Sequence, residues 1–121
     1  MIEAALSKQS AAMRNGAAVR RISIICGSVV HYDAVSECAL VCLEAAAAQP
    51  VKVGPVEVRI YCLETNVSDS RIHVLKSSRD LLAEQFYQNS DFIIYHFGIY
   101  SEIHHSLAAA PRGAYIVIHF H

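Results

Sequence analysis

Apolar residues along this chain fall into two rhythms, and the rhythms predict the elements. Arg21-Ile-Ser-Ile-Ile-Cys26 and Phe92 to Tyr95 are short, nearly unbroken apolar runs, the pattern of strands covered on both faces. Tyr115 to Ile118 is a third such run, so these three are expected at the centre of a sheet. Val56 to Leu63 alternates instead. Val56, Val58, Ile60 and Cys62 share one side, and Glu57 and Arg59 take the other, which predicts a strand less fully covered. Ile72 to Leu75 reads as one more short strand. Between these runs the period becomes helical. From about Ala34 to Ala48, the positions Val35, Cys38, Ala39, Cys42, Ala45 and Ala46 form one apolar face, with Glu37 and Glu44 on the wet side. Asp33 or a neighbour caps this helix, and Gln49-Pro50 ends it. A second helix is expected from about Arg79 to Gln88, capped by Ser77 or Ser78, with Leu81, Leu82 and Phe86 buried. A third runs from Ser101 to Ala109 and stops before Pro111 and Gly113.

The order β-α-β-(β)-α-β-α-β predicts an α/β, Rossmann-like fold: a mainly parallel sheet of four or five strands with helices on both faces. Residues 1–20 are Ala-rich and polar, with Gly16 interrupting any helix. They read as a flexible N-terminal arm, and residues 21–121 as a single domain. A net charge of −1 gives no support to a nucleic-acid partner, which usually meets a basic surface. No apolar run reaches the length of a membrane span. The alanine-dominated arm allows peripheral membrane contact at most. Cys26, Cys38, Cys42 and Cys62 all sit in apolar stretches and read as buried, reduced thiols, which fits a cytoplasmic setting.

Ligands of open parallel sheets bind outside the carboxyl ends of the strands. Three such ends carry chemistry here. Gly27-Ser28, leading to Asp33, follows the first strand. Gly27 allows a tight turn and close approach of a ligand, and the next helix could offer N–H groups to an anion. A purely structural turn explains the glycine equally, and neither nucleotide-binding glycine fingerprint is present. His96-Phe97-Gly98, leading to Glu102, follows the fourth strand run. His96 can bond a sugar hydroxyl or exchange a proton, or else be a hydrogen-bonded core histidine. Glu102 can accept from ligand hydroxyls, or simply complement a helix N-terminus. His119 and His121 end the last run and share one side of it. The seven histidines raise the question of a metal. His104 and His105 are adjacent and so diverge on a helix, and no complete ligand set is apparent, so no metal site is expected. His31 and His73 read as isolated surface residues.

Asp91-Phe-Ile-Ile-Tyr-His96-Phe-Gly98-Ile-Tyr-Ser-Glu102, followed by Ile-Val-Ile-His119-Phe-His121, resembles the N-terminal domain of family-4, GT-B-type glycosyltransferases. In those proteins a D-x-x-x-Y-H-x-G strand and turn precede a strand ending in H-N-x-T-P. His121 matches the histidine of that second motif. Gly27-Ser28 to Ser36 is similar to the first-strand loop of the same family. The resemblance covers roughly residues 21–121. It implies the acceptor-side half of a retaining, usually metal-independent transferase that moves a sugar from a nucleotide-sugar co-substrate to a sugar, glycan or lipid-linked acceptor. It implies catalytic roles for His121 and His96, and substrate contacts for Gly27, Ser28, Gly98, Glu102 and His119. The donor site would lie on a C-terminal domain, here expected on a longer product or on a partner chain, and no resident cofactor is implied. The chain alone is then expected to transfer no sugar. A cytoplasmic location, peripheral at the inner face of a membrane, goes with this reading. The alternative is a stand-alone α/β binding or interaction module without catalysis. A receiver-like domain fits less well, because its acidic cluster and late lysine are missing.

Overall fold

The structure, a computed structural model, describes residues 19–49, 54–98 and 101–121. Nearly all of the expected arm, residues 1–20, therefore lies outside the described residues, and Arg20 already belongs to the first strand. The elements are β1 (Arg20–Ile25), β2 (Ser28–Val29), α1 (Ala34–Ala47), β3 (Val56–Cys62), β4 (Glu64–Thr65), β5 (Ile72–Val74), α2 (Ser78–Leu82), α3 (Gln85–Gln88), β6 (Phe92–Phe97), a 3-10 helix (Glu102–Ala109) and β7 (Tyr115–Phe120). Five strands form one sheet in the order β5-β3-β1-β6-β7, and every pair in it is parallel. The fold is α/β and Rossmann-like, as the alternation of periods predicts. Two short strands, β2 and β4, pair separately, a detail their two-residue length hides from periodicity.

The sheet has a core on each face. Ile22, Ile24, Val58, Ile60, Phe92 and Ile94 pack with Ala39, Leu43 and Ala46 of α1. On the other face Ile25, Tyr61, Ile93 and Tyr95 pack with Leu81, Phe86, Tyr87 and Ile103 from α2, α3 and the 3-10 helix. The second core contains a buried chain of hydroxyls: Tyr87 to Tyr95 at 2.8 Å, Tyr95 to Ser106 at 2.8 Å, and Ser106 donating to the Ile103 carbonyl at 2.7 Å. The Tyr87 and Tyr95 phenols thus keep a partner inside an apolar layer, where an unpaired one would cost about 1–3 kcal/mol.

Three expectations need correction. The buried face of α1 is Ser36, Ala39, Leu43 and Ala46. It is rotated from the predicted stripe, because Leu43 supplies the bulk that alanines cannot, and Ala45 faces out. The single helix expected over 79–88 is two short ones, α2 and α3, separated at Ala83 and Glu84. Tyr115 to Ile118 is not a central strand. β7 stands at the end of the sheet with β6 its only sheet neighbour among the described residues. Tyr115, Ile116, Ile118 and Phe120 are all exposed. An unbroken apolar run marks a strand that can be covered on both faces, but it does not say that the cover is in place.

Among the described residues, no helix is long and apolar enough to cross a membrane. All four cysteines are free thiols, Cys26 and Cys62 buried and Cys38 and Cys42 half-buried.

Candidate functional site at the carboxyl ends of the strands

The chain leaves β1 toward β3 on one side, and β6 lies on the other. The strand order therefore reverses between β1 and β6, and a crevice opens there, as doubly wound sheets lead one to expect. The crevice has a volume of about 540 Å³, and Gly27, Ser28, Asp33, Glu64, His96, Gly98, Ser101 and His104 are on its wall.

Two glycines let the loops after β1 and β6 approach each other. A Cβ on Gly27 would stand 2.6 Å from the Cβ of Ser101, and one on Gly98 2.6 Å from Cγ2 of Val35. The loop after β1 is pinned by Ser36, whose hydroxyl accepts from the Val30 N–H at 3.0 Å and lies 3.0 Å from the Ser28 carbonyl and 2.8 Å from Asp33 Oδ2. Ser28 donates to Glu64 at 2.7 Å, which ties the start of β2 to the start of β4.

Asp33 is the N-cap of α1, accepting from the Ser36 N–H at 2.9 Å. Hydrogen bonds from Ser36 hold its carboxyl below the usual carboxylate range, and the nearby His121 adds to this. The anion site foreseen at this helix start is therefore taken by the chain's own carboxylate. Replacing Asp33 with alanine is expected to cost about 1 kcal/mol and to lower Tm by about 4 °C. An unchanged thermal melt would contradict the capping role.

His96, the penultimate residue of β6, is 3 % exposed. Its Nδ1 lies 3.1 Å from Nε2 of His121. Burial, with His119 and His121 as a lesser cause, pushes its pKa down to about 4, so the ring is neutral near pH 7. His104 rests its ring on Phe97, with centroids 4.0 Å apart. Its Nε2–H donates to the His96 carbonyl at 3.0 Å, and burial lowers its pKa as well. The Cys26 thiol is pushed up to about 11 by burial, so this wall carries no thiolate.

Of the residues expected at the site, Gly27, Ser28, His96 and Gly98 line the crevice. Glu102 does not. Its carboxylate accepts from the Ser78 N–H at 3.2 Å and the Ser78 hydroxyl at 2.9 Å, which engages it at the start of α2. His119 and His121 are not on the crevice wall. Parallel pairing of β6 with β7 sets His96 opposite His119, and since side chains alternate along a strand, His121 falls on the same face two residues on. The three imidazoles form one group behind the crevice, with their ligand nitrogens within 4.8 Å of one another. Read strand by strand, the histidines give no complete ligand set; the third histidine is brought by the neighbouring strand. Aligning the runs that start at Phe92 and Tyr115 would have revealed it. Glu64, Ser101 and His104 join Gly27, Ser28, His96 and Gly98 on the wall, and nothing in their local sequence marks them as crevice residues.

Comparison with known proteins finds no matching family model, no matching curated protein and no matching solved structure.

Proposed function

We propose that the chain is the acceptor-side half of a retaining glycosyltransferase, binding a hydroxyl-rich acceptor (a sugar, glycan or lipid-linked sugar) in the crevice between β1 and β6. The observation that carries this reading is the chemistry of the wall. Its polar side chains are Ser28, Asp33, Glu64, His96, Ser101 and His104, with no lysine or arginine among the described residues that line it. Two carboxylates, neutral imidazoles and hydroxyls suit hydrogen bonds to sugar hydroxyls. They repel a phosphate, and the capped N-terminus of α1 no longer attracts one. An acceptor site needs that preference, whereas a donor site must hold a nucleotide diphosphate. On this reading His96, on the crevice wall, meets the reacting hydroxyl, and His121, 3.1 Å from its Nδ1, supports it from behind. The nucleotide-sugar co-substrate is held by a donor domain in the same or another polypeptide, and the chain alone does not catalyse.

The exposed apolar strand β7 favours a second body in either case. A donor domain seated there fits the transferase reading. A different protein seated there fits the alternative, a binding or interaction module without catalysis.

The test is an amide chemical-shift titration of the isotope-labelled chain with a panel of methyl glycosides, and with inorganic phosphate and a nucleoside diphosphate as comparators. At least one glycoside is expected to move Gly27, Ser28, Gly98 and Ser101 saturably, while phosphate does not. Preferential saturation by phosphate or nucleotide would overturn the acceptor assignment, as would no response to any glycoside. Sugar transfer by the isolated chain would overturn the half-enzyme assignment.

A further inference from the structure

We propose that His96, His119 and His121 form a binding site for one divalent transition-metal ion of the zinc class. This does not rest on the transferase reading, because a sugar titration and a metal titration can fail separately. The geometry is the main argument. One nitrogen from each ring lies within 4.8 Å of the other two, and the closest pair, His96 Nδ1 and His121 Nε2, is 3.1 Å apart. In a tetrahedral site with metal–nitrogen bonds of about 2.0–2.1 Å, neighbouring nitrogens sit roughly 3.3 Å apart. The pair already has that spacing, and His119 needs a rotamer adjustment of an exposed side chain to join it.

The placement supports the same assignment. His96 is held rigidly at 3 % exposure near the end of an inner strand, while His119 is exposed on the edge strand and His121 just past it. A fixed ligand and two adjustable ones leave the fourth position open to solvent. Ring centroids are 5.3 Å apart for His96 and His119, 5.4 Å for His96 and His121, and 4.3 Å for His119 and His121. Within the trio, the one hydrogen-bond contact is that between His96 and His121, and no carboxylate is hydrogen-bonded to any of the three among the described residues. Nearby negative charge comes from Asp33, close enough to His121 for the two to interact electrostatically, and from Glu37, on the wall of the cleft that His96 and His119 also line. Both favour a cation. An all-imidazole set suits zinc, copper, nickel or cobalt over magnesium or calcium, which prefer oxygen. Three protein ligands with an open fourth position is the arrangement of exchangeable rather than closed structural sites.

The test is calorimetric titration of the untagged, chelator-treated chain with Zn2+, together with the visible spectrum of the Co2+ form. One equivalent is expected to bind with micromolar affinity or better, and Co2+ to give the intense visible bands of tetrahedral coordination. His119 lies on the exposed edge strand and His121 just past it, so His119→Ala and His121→Ala leave the core intact. Each is expected to weaken binding at least about tenfold, a loss that even outer-shell changes reach, with the circular dichroism spectrum unchanged. His31→Ala and His105→Ala are expected to bind as the parent does. No binding at 100-fold the expected concentration range, about 0.1 mM, would overturn the site. So would parent-like binding by both His119→Ala and His121→Ala, which would move the metal to other residues.

Discussion

Replacing Ile24 with alanine is expected to destabilise the chain by about 3 kcal/mol, whereas Ile118→Ala is expected to cost about 1 kcal/mol or less. Ile24 is fully buried on the inner strand β1, with Ile60 and Ile94 as its register partners on β3 and β6. Removing its side chain loses transfer free energy and leaves a cavity that neighbours on two strands and α1 cannot close. Ile118 is 40 % exposed on the edge strand β7, so truncation removes little that was shielded from water. Domains of this size are stable by only 5–15 kcal/mol, so the first change takes a large share of the total. Urea unfolding of both variants measures the contrast. Equal losses would mean that β7 is covered as fully as β1, and the account of an open edge would fall.

The same contrast explains what could be read from the chain. Periodicity identifies Ile22, Ile24, Ile93 and Ile94 as strand interiors because each run is apolar on both sides and the structure covers both sides. It places Asp33 or a neighbour, and Ser77 or Ser78, at helix starts because a side-chain oxygen before a helical stripe has a local purpose, and the caps are Asp33 and Ser77. It fails for β7, whose residues match those of a central strand while their cover depends on what lies beside the sheet. It fails for Glu102 in another way. A carboxylate in a first helical turn looks free to meet a ligand, yet Ser78, 24 residues earlier, occupies it. The crevice itself was foreseeable from strand ends, since Gly27, His96 and Gly98 each close a run. The trio of histidines was not foreseen, because it depends on a strand register that links positions 23 and 25 residues apart. The resemblance to glycosyltransferases rests on the motif residues alone.

In the presence of a chelator, acid is expected to destabilise the chain by roughly 3 kcal/mol through His96 alone. Burial first, and the neighbouring imidazoles second, push the pKa of His96 down to about 4 in the folded chain, against about 6.5 when unfolded. Between these values the unfolded state binds a proton that the folded state does not, so stability falls as pH falls. The contribution is complete above pH 6.5, declines through the window, and is exhausted below pH 4, where both states are protonated. Burial shifts His73 and His104 in the same direction, so they contribute with the same sign. Asp33 and Asp69 are lowered carboxylates, so their stabilisation is lost in a separate, more acidic range. The share of His96 is isolated by His96→Phe, which fills the buried site without titrating. Urea unfolding at pH 7 and pH 4.5 is expected to show most of the loss in the parent and a much smaller one in the variant. Parallel losses in the two proteins would place the acid sensitivity elsewhere and leave His96 an ordinary, readily protonated imidazole.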